Sequence, residues 1–545
     1  MQPCGGAAGH PVGPVATRSF DASGRRPYRS YPNDRLEAGR REGVTTSERT
    51  AVEGVAVSTD HWIGGERVAS ADRFEDVSPI DERVIASVAR GGAAEARAAV
   101  AAARDAFEGW ARTTPKERAE VLHRIADGVE ARVAQLAAVE TRDNGSLLRS
   151  HVRSVMPRVA RNFRFFADRL LALDGSADAT YDGNAEHVTW DPAGVTVVIS
   201  PWNAPLMLAT WRIAPALAAG NTVIQKPPEW APLTASLMAD IARDAGLPDG
   251  VFNVVQGIGE EAGAALTSDP GVARIAFTGS VDTGRLVAEA AAANLTPVSL
   301  ELGGKSPFVI FADADPDAAL AQAVNQFDNA GQVCLAGTRL LVERSIYDDF
   351  IHRFTDAAAA IRQGDPREET TDLGPLITRA HLERVDGFVE RAKAAGARLV
   401  FGGGVSPELG GLYHRPTLFV DAPAGSEILT KEVFGPVLTA QPFADEDEAV
   451  ALANATDFGL AATVYTSDLG RAQRVSERLV AGTVWVNCFF VRDLNAPFGG
   501  SKDSGIGREG GVWSFDFYSD VKNTVVAPAP STSDRPSEGE QEGRT

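Results

Sequence analysis

Short apolar runs alternate with longer amphipathic runs from residue 194 to residue 293 of the chain. The apolar run over 194–199 predicts a buried strand, and the run over 206–219 predicts a helix. Strand, helix, strand in this rhythm is typical of an α/β protein with a parallel sheet and of a dinucleotide-binding layout. The same pattern predicts further strands over 222–225, 252–255 and 274–277 and further helices over 233–245 and 284–293.

The length of 545 residues is too great for one ordinary domain and predicts two or three domains. Residues 1–55 are rich in Gly, Arg, Ser and Pro without a sustained apolar period, and residues 528–545 have the same character. We therefore expect a disordered extension over 1–55 and a disordered tail over 528–545. Between them lies a continuous folded body, with early helices predicted over 93–110 and 115–144.

The formal net charge of -20 argues against nucleic acid as a partner. The sequence contains no purely apolar run of the roughly 18 residues that a membrane span requires, so we expect no membrane association. Cys4, Cys334 and Cys488 are too few for a disulfide framework, which indicates a reducing cytoplasm. The scattered His and Cys residues predict no metal site.

A glycine-containing turn with the sequence FTGSVDTG, residues 277–284, lies between a predicted strand and a predicted helix. Gly279 and Gly284 would allow a phosphate to approach the backbone, and Ser280 would lie near N–H groups of the helix start. An ordinary structural turn is an equally good interpretation of the turn alone.

Lys226 and Glu229 follow another predicted strand. Both side chains can reach ribose hydroxyls, and a carboxylate at this position would repel a 2′-phosphate, which favours NAD over NADP. The alternative interpretation is an exposed charge pair on a loop.

Three further residues carry the types of group that covalent catalysis needs. Cys334, in Gly-Gln-Val-Cys, is expected at a helix start with a lowered pKa, which would favour the nucleophilic thiolate. Glu301 follows an apolar strand and can act as a base toward water. Asn203, in Pro-Trp-Asn, can donate from its side chain to an oxyanion. Taken singly, each has an alternative: an inert buried cysteine, a solubilising charge at a strand end and a turn-forming asparagine.

The order of these motifs along the chain resembles that of the aldehyde dehydrogenase superfamily over residues 56–527. Glu301 lies 33 residues before Cys334, as in that family. The motif residues that follow the family order are Asn203, Lys226, Gly279, Glu301, Cys334, Glu432 and Asn487.

The resemblance implies oxidation of an aldehyde to a carboxylic acid with NAD as cofactor. Cys334 would attack the aldehyde carbon, and the Asn203 side chain with the Cys334 backbone N–H would hold the oxyanion. Loss of hydride would leave a thioester, which a water activated by Glu301 would hydrolyse. The presence of Glu301 favours release of a free acid over transfer to coenzyme A.

The resemblance also implies how the cofactor is held. The pyrophosphate would lie near Ser280 and Gly284, Glu432 would bind the nicotinamide ribose, and Phe434 would flank the nicotinamide ring. The complete set of implied cofactor contacts is Ile199, Pro201, Trp202, Lys226, Glu229, Gly279, Ser280, Gly284, Leu302, Glu432 and Phe434.

The implied fold is the α/β aldehyde dehydrogenase fold. A Rossmann-like cofactor domain would cover 56–185 and 195–302, and an α/β catalytic domain would cover 303–510. A small bridging sheet over 186–194 and 512–527 would support oligomerisation, as a homodimer or homotetramer.

Several segments resemble the hydroxymuconic-semialdehyde branch of the family, closest to 5-carboxymethyl-2-hydroxymuconate semialdehyde dehydrogenases. Such substrates carry carboxylates, so an acidic protein needs a local cation, for which we select Arg492. One of Arg149, Arg153 and Arg158 could line the same entrance, and of these we select Arg153. The alternative interpretations are an interdomain salt bridge for Arg492 and surface charges for Arg149 and Arg153. Asn495-Ala496-Pro497 departs from the Arg-Thr-Pro pattern of that branch. The segments are NFRFFAD (162–168), TWRIAP (210–215), KPPEW (226–230), VNCFFVRDL (486–494) and GIGREGG (505–511).

Two rival functions remain open at this point. One is a broad-specificity or betaine-type aldehyde dehydrogenase for uncharged or cationic aldehydes. The other is a non-catalytic binding or structural protein on the same fold, which would be expected to lack Cys334, Glu301 or Asn203.

Overall fold

The computed structural model describes residues 49–173 and 176–528 of the chain. Residues 1–48 of the predicted extension, which include Cys4, and residues 529–545 of the predicted tail lie outside the described residues.

Strands make up several sheets of the described part. In chain order they are β1 (Arg49–Val52), β2 (Val55–Ser58), β3 (His61–Ile63), β4 (Glu66–Val68), β5 (Arg73–Val77), β6 (Val84–Ala89), β7 (Ser176–Tyr181), β8 (Asn184–Pro192), β9 (Val195–Ile199), β10 (Thr222–Lys226), β11 (Phe252–Val254), β12 (Arg274–Thr278), β13 (Val298–Glu301), β14 (Pro307–Ile310), β15 (Arg339–Glu343), β16 (Arg398–Phe401), β17 (Thr417–Val420), β18 (Val437–Phe443), β19 (Phe458–Gly459), β20 (Ala461–Tyr465), β21 (Thr483–Val486), β22 (Ser501–Lys502), β23 (Gly505–Ile506) and β24 (Ser519–Val526).

Helices cover these sheets. The α-helices are α1 (Ala93–Ala111), α2 (Pro115–Glu130), α3 (Val133–Asn144), α4 (Leu148–Ser150), α5 (Met156–Ala172), α6 (Pro205–Ala218), α7 (Leu233–Asp244), α8 (Ala264–Thr267), α9 (Val281–Ala292), α10 (Pro316–Val324), α11 (Tyr347–Ala359), α12 (Arg379–Ala394), α13 (Glu427–Thr430), α14 (Glu446–Asn454), α15 (Leu469–Arg478) and α16 (Gly511–Tyr518). Two π-helical turns, His151–Val155 and Gly259–Gly263, and two 3₁₀ segments, Asn325–Gly331 and Pro407–Leu409, complete the set.

The largest sheet has the strand order β23-β13-β12-β9-β10-β11-β3-β4. Strands β13, β12, β9, β10 and β11 run parallel, and β23 and β3 pair antiparallel at the two sides of this block. Every residue of β9 and β10 is buried, as expected for parallel strands covered by helices on both faces. The strands predicted from the alternating pattern are all present, with ends that differ by at most one residue.

The second large sheet has the order β16-β17-β18-β15-β14-β20-β21, and all its pairs except β16–β17 are parallel. It lies within the range 303–510 that was predicted as the catalytic domain, whereas β23 of that range pairs with β13 of the first sheet. The division into domains stays a prediction.

The small sheet has the order β24-β8-β7. Strand β24 and most of β8 lie in the ranges predicted for a bridging sheet, and β7, which was predicted in the cofactor domain, pairs with β8. Residues 512–518 of the predicted sheet are helical in α16. The short turn Asp182–Gly183, with positive φ at both residues, folds β7 back onto β8 and explains the extra strand.

Two other boundaries differ from expectation. The extension does not continue to residue 55, because β1 and β2 form an antiparallel hairpin whose Val52 and Val57 are buried against the body. The helix predicted over 115–144 is two helices, since Arg132 leaves helical geometry (φ -118°) and pairs with Asp244 at 2.5 Å.

None of the helices in the described ranges is long and apolar enough to cross a membrane. The same ranges hold no group of three or more His, Cys, Asp or Glu residues arranged to bind a metal ion.

Candidate active site

All the predicted cofactor residues except Glu432 and Phe434 lie at or after the carboxyl ends of four adjacent strands of the large sheet. β13, β12, β9 and β10 lie side by side in that order and end at Glu301, Thr278, Ile199 and Lys226. From β9 the chain continues to its neighbour β10 on one side. Strand β12 lies on the other side of β9, and β13 follows it farther out in that opposite direction. Ligands of α/β sheets bind at such a switch point, outside the carboxyl ends of the strands, so this crevice fits a dinucleotide.

The turn after β12 forms the start of helix α9. Ser280 caps this helix by accepting a hydrogen bond of 3.2 Å from the Thr283 N–H, and the helix begins at Val281, earlier than the predicted Gly284. A Cβ on Gly284 would lie 2.6 Å from Leu302 Cδ2, so this glycine lets α9 pack closely on the chain after β13. The helix N-terminus thus faces the crevice, where its N–H groups can bind a pyrophosphate.

Lys226 and Glu229 form an ion pair of 2.7 Å after β10. The Lys226 side chain is buried, whereas Glu229 is partly exposed. The pair places one donor and one acceptor group at the end of a central strand, as recognition of a ribose requires.

Glu432 and Phe434 lie on the segment before β18, where Glu432 contacts the chain after β13 and Phe434 contacts Trp202. Glu432 Oε1 accepts a hydrogen bond of 2.8 Å from the Gly304 N–H, and a Cβ on Gly303 would lie 2.2 Å from Glu432 Oε2. Burial raises the pKa of Glu432 to about 7. The Phe434 and Trp202 rings meet edge to face at 5.3 Å, which leaves aromatic surface beside the crevice.

Cys334, Asn203, Glu301 and Arg492 line one cavity of about 470 Å³. The thiol is therefore not walled off from the carboxylate and the amide that the sequence predicted as its partners. Residues that are far apart along the chain meet here because the strand ends and the Cys334 loop share one edge of the sheets.

Cys334 lies in a turn after the 3₁₀ segment Asn325–Gly331, not at a helix start as predicted. Burial, with the carboxylates of Glu432 and Glu301, raises the pKa of the thiol to about 12. The predicted lowering of this pKa is therefore wrong, because burial and the two carboxylates disfavour the thiolate. The thiol needs a base to become a thiolate.

Asn203 is anchored on both its side chain and its backbone. Its side-chain amide donates to the Gln332 carbonyl at 2.9 Å, and the Asn329 side-chain amide donates to the Asn203 carbonyl at 3.2 Å. Ser146 Oγ donates to Asn329 Oδ1 at 2.7 Å, and Asn329 itself has a positive φ of 50°. The second N–H of the Asn203 amide stays available for an oxyanion.

Glu301 is buried, and neither of its carboxylate oxygens accepts a hydrogen bond from any described residue. Burial, followed by the charge of Glu509, raises the pKa of Glu301 to about 8. Glu509 is held by Arg212 at 3.0 Å and by the Ser299 hydroxyl at 2.8 Å. A carboxyl group with this pKa can exchange a proton near neutral pH.

Two arginines of the cavity face the same tryptophan. The guanidinium carbon of Arg492 lies 5.2 Å from the Trp211 ring centroid and 3.9 Å from that of Phe498. The Arg158 carbon lies 5.6 Å from Trp211, and its Nε donates to Asn162 Oδ1 at 3.0 Å.

Arg153 does not reach the cavity. Its side chain is 68% exposed and pairs with Glu369 at the surface, so the selection of Arg153 is not supported, whereas Arg158 lines the cavity. Sequence reasoning named Arg158, with Arg149 and Arg153, among the residues that could line the entrance, and it assigned no role to Arg212, Asn329 or Glu509. Arg212 and Glu509 lie in segments that carried the resemblance, and that was their only signal.

Comparison with known proteins places the chain in a family. The family model for the aldehyde dehydrogenase family matches residues 67–524. The 2-hydroxymuconic semialdehyde dehydrogenase of Pseudomonas sp. (strain CF600) is 46% identical over 86% of this chain and 99% of the relative. The 5-carboxymethyl-2-hydroxymuconate semialdehyde dehydrogenase of Escherichia coli is 41% identical over 84% of this chain and 98% of the relative.

A solved structure of betaine aldehyde dehydrogenase from Staphylococcus aureus in complex with NAD+ is 36% identical, with a TM-score of 0.84. The match covers 87% of this chain and 97% of that chain. The sequence-based predictions of the fold, of an oxidoreductase that acts on aldehydes and of NAD as cofactor are confirmed at the level of the family. By the family match and by these relatives, the chain belongs to the aldehyde dehydrogenase family.

Proposed function

We propose that the protein oxidises an aldehyde bearing two carboxylates to the corresponding acid, in the manner of a 5-carboxymethyl-2-hydroxymuconate semialdehyde dehydrogenase. The observation that carries the proposal is the pair Arg158 and Arg492, which both line the cavity of Cys334 and both lie over the Trp211 ring. Relatives named for muconate semialdehydes support the same substrate class.

The charge state of the two arginines supports a dianionic substrate. Among the described residues, no carboxylate forms an ion pair with Arg158 or Arg492, although the charges of Glu301 and Glu509 act on Arg492 at longer range. Burial lowers the pKa of each to about 10, and the charge of Arg492 contributes at Arg158. Two substrate carboxylates would pair with these two buried guanidinium groups by forked hydrogen bonds.

The residues around Cys334 support the oxidation itself. The thiol gives its proton to a base, Sγ bonds to the aldehyde carbon, and the carbonyl oxygen becomes an oxyanion beside Asn203 and the Cys334 N–H. NAD, when bound, supplies the acceptor for the hydride. The resulting thioester on Cys334 loses its acyl group to water as Glu301 takes the water proton, which frees the acid and the thiol.

Cofactor residues are assigned in the same proposal. Lys226 and Glu229 would bind the adenine-side ribose, and Ser280 with the start of α9 would bind the pyrophosphate. Glu432 and Phe434 would contact the nicotinamide half. The carboxylate of Glu229 would exclude a 2′-phosphate and so favour NAD over NADP.

Substitution of the two arginines tests the substrate class. We expect Arg158→Gln and Arg492→Gln each to raise KM for a dicarboxylated semialdehyde by roughly 10- to 100-fold, with little change for hexanal. Arg153→Gln is the matched control, because that side chain pairs with Glu369 at the surface. Equal effects on charged and neutral aldehydes would refute the carboxylate role.

The betaine-type alternative is disfavoured by the same two residues. A quaternary ammonium aldehyde would enter a cavity that already holds two guanidinium groups, and like charges repel in a site of low dielectric. The substrate panel should therefore show lower kcat/KM for betaine aldehyde than for hexanal.

The small sheet supports an assembly of identical chains, as a homodimer or homotetramer. Val521, Val525 and Val526 on its edge strand β24 are each 56% exposed. An edge strand with exposed valines is a template for pairing with another copy. Val525→Lys should shift the mass measured by light scattering toward the monomer, and an unchanged mass would contradict this role. The cytoplasm stays our predicted location, because it would keep Cys334 reduced.

A further inference from the structure

The segment Glu432–Phe434 has its three successive backbone carbonyls held by two side chains of one helix. Arg384 Nη2 donates to the Glu432 carbonyl at 2.8 Å, and Arg384 Nη1 donates to the Val433 carbonyl at 2.5 Å. The His381 ring bonds the Phe434 carbonyl through Nε2 at 2.7 Å. Since a carbonyl oxygen can only accept, Nε2 carries the proton.

His381 and Arg384 are three residues apart on α12, so both project from one face of the helix. Thr378 caps this helix by accepting a hydrogen bond of 3.1 Å from the His381 N–H. The two side chains that hold the segment therefore start from a fixed helix turn.

The held segment has a backbone that needs support. Phe434 has a φ of 57°, in the left-handed region that a residue with a Cβ rarely adopts. A Cβ on Gly435 would lie 2.7 Å from Val385 Cγ2, and a Cβ on Gly331 would lie 2.1 Å from the Gly435 carbonyl oxygen. The segment is thus packed between α12 and the loop that leads to Cys334.

The His381 ring also belongs to the aromatic wall of the crevice. It lies 5.4 Å from the Trp202 ring and 6.2 Å from the Phe434 ring, both edge to face or nearly so. Burial lowers the pKa of His381 to about 4, so the ring is neutral in the neutral pH range. Its hydrogen bond to Phe434 therefore does not change between pH 6 and pH 9.

We propose that His381 and Arg384 are positioning residues that fix the Glu432–Phe434 segment and, through it, the ribose and ring contacts of the nicotinamide half of NAD. The inference rests on the cofactor roles proposed above for Glu432 and Phe434. Neither positioning residue needs to touch the reacting atoms. Small displacements of a positioned reactant cost much of the rate of a transfer step, so loosening the segment should slow hydride transfer.

Substitution of His381 and of Arg384 tests this inference. The assay uses hexanal as substrate, because a neutral aldehyde does not need the carboxylate contacts proposed for Arg158 and Arg492. His381→Ala removes the donor to Phe434, and Arg384→Lys keeps the charge but loses the fork that spans two carbonyls. We expect kcat for NAD reduction to fall about 10- to 100-fold in each. The isotope effect with an aldehyde deuterated at C1 should rise, because hydride transfer becomes rate-limiting.

Three further measurements separate positioning from general stability. Hydrolysis of a p-nitrophenyl ester without NAD needs only Cys334 and its neighbours, so it should stay within about twofold of the wild type. The Kd for NAD, measured by calorimetry, should rise in both variants. His381→Gln, whose amide can still donate, should recover part of the lost kcat.

The matched control is Arg391→Lys on the same helix. Like Arg384, Arg391 lies over the Phe388 ring, but it pairs with Glu427 at the surface. If His381→Ala and Arg384→Lys match this control in kcat, isotope effect and Kd, the positioning role is overturned. The role is also overturned if ester hydrolysis falls as far as NAD reduction.

A Glu432→Gln variant distinguishes the positioning role of His381 and Arg384 from the cofactor role of Glu432 on which it rests. If this variant binds NAD and transfers hydride as the wild type does, the role of the segment fails and the positioning role falls with it. If Glu432→Gln is impaired and the α12 variants are not, only the positioning role falls.

Discussion

The side-chain amide of Asn203 donates a hydrogen bond of 2.9 Å to the backbone carbonyl of Gln332, two residues before Cys334. Gln332 is itself fixed, since its Oε1 accepts from the Ile377 N–H at 3.0 Å and its Nε2 donates to the Asn329 carbonyl at 3.1 Å. The oxyanion donor and the nucleophile are thus joined through one short, rigid connection. Such preorganisation is what makes a donor effective in stabilising developing charge.

Asn203→Ala should lower kcat for aldehyde oxidation by about 100- to 1,000-fold, because it removes one donor to the oxyanion. Steady-state NADH production measures the effect. Asn294→Ala is the control, since Asn294 also donates to a backbone carbonyl, that of Ser268 at 2.9 Å, but is exposed. A loss of less than threefold in Asn203→Ala would argue against the oxyanion role.

Glu301→Gln should separate the two halves of the reaction. Without the carboxylate, one equivalent of NADH should form quickly and turnover should then fall by about 100- to 10,000-fold, because the thioester lacks a base. Stopped-flow absorbance shows the burst. A variant that loses the burst together with turnover would indicate that Glu301 is needed before the thioester forms, for example to take the Cys334 proton.

The pKa of Glu301 also predicts how activity depends on pH. The carboxylate is the active form, and burial raises its pKa to about 8, so the hydrolytic step should speed up as pH rises through that value. Single-turnover decay of the thioester between pH 6 and pH 10 measures the profile. A rate already at its plateau at pH 6 would contradict a raised pKa.

The sequence could predict the meeting of Cys334, Glu301 and Asn203, because the positions of two of them follow from local patterns. Glu301 is the last residue of strand β13 and Asn203 lies in the loop that follows strand β9, and carboxyl ends of parallel strands meet at one edge of a sheet. The position of Cys334 beside these two residues was predicted from the family resemblance and not from a local pattern.

Properties set by distant parts of the chain could not be predicted. The thiol pKa rises through burial and the charge of Glu432, which reaches Cys334 only in the folded protein. The position of Arg153, by contrast, follows from helix geometry. His151, Ser154 and Arg158 line the cavity at spacings of three and four residues, so they share one helix face, whereas Arg153, five residues before Arg158, lies on another face.

Glu301→Gln should also stabilise the fold, increasingly so at high pH. The pKa of Glu301 in the folded protein is about 8, above the ordinary value of 4.5. The free energy of unfolding is therefore highest below pH 4.5, where the carboxyl group is neutral in both states, and this stability is lost as the pH rises through 8. The variant, which buries no charge, should be more stable than the wild type by roughly 1–3 kcal/mol at pH 9. Denaturant unfolding at pH 6 and pH 9 measures the difference, and a gap that does not widen with pH would contradict the burial of a charged carboxylate.

Glu229 should decide between the two nicotinamide cofactors. Its carboxylate pairs with Lys226 at 2.7 Å after β10, where a 2′-phosphate on the ribose would meet a negative charge. Glu229→Gln removes that repulsion and frees Lys226 to attract a phosphate, so kcat/KM with NADP should rise about tenfold relative to that with NAD. Glu289→Gln, an exposed carboxylate on α9, controls for the change in net charge and should leave the ratio unchanged. If the ratio in Glu229→Gln equals that of the control, the carboxylate does not face the adenine-side ribose, and the orientation proposed for NAD in the crevice must be revised.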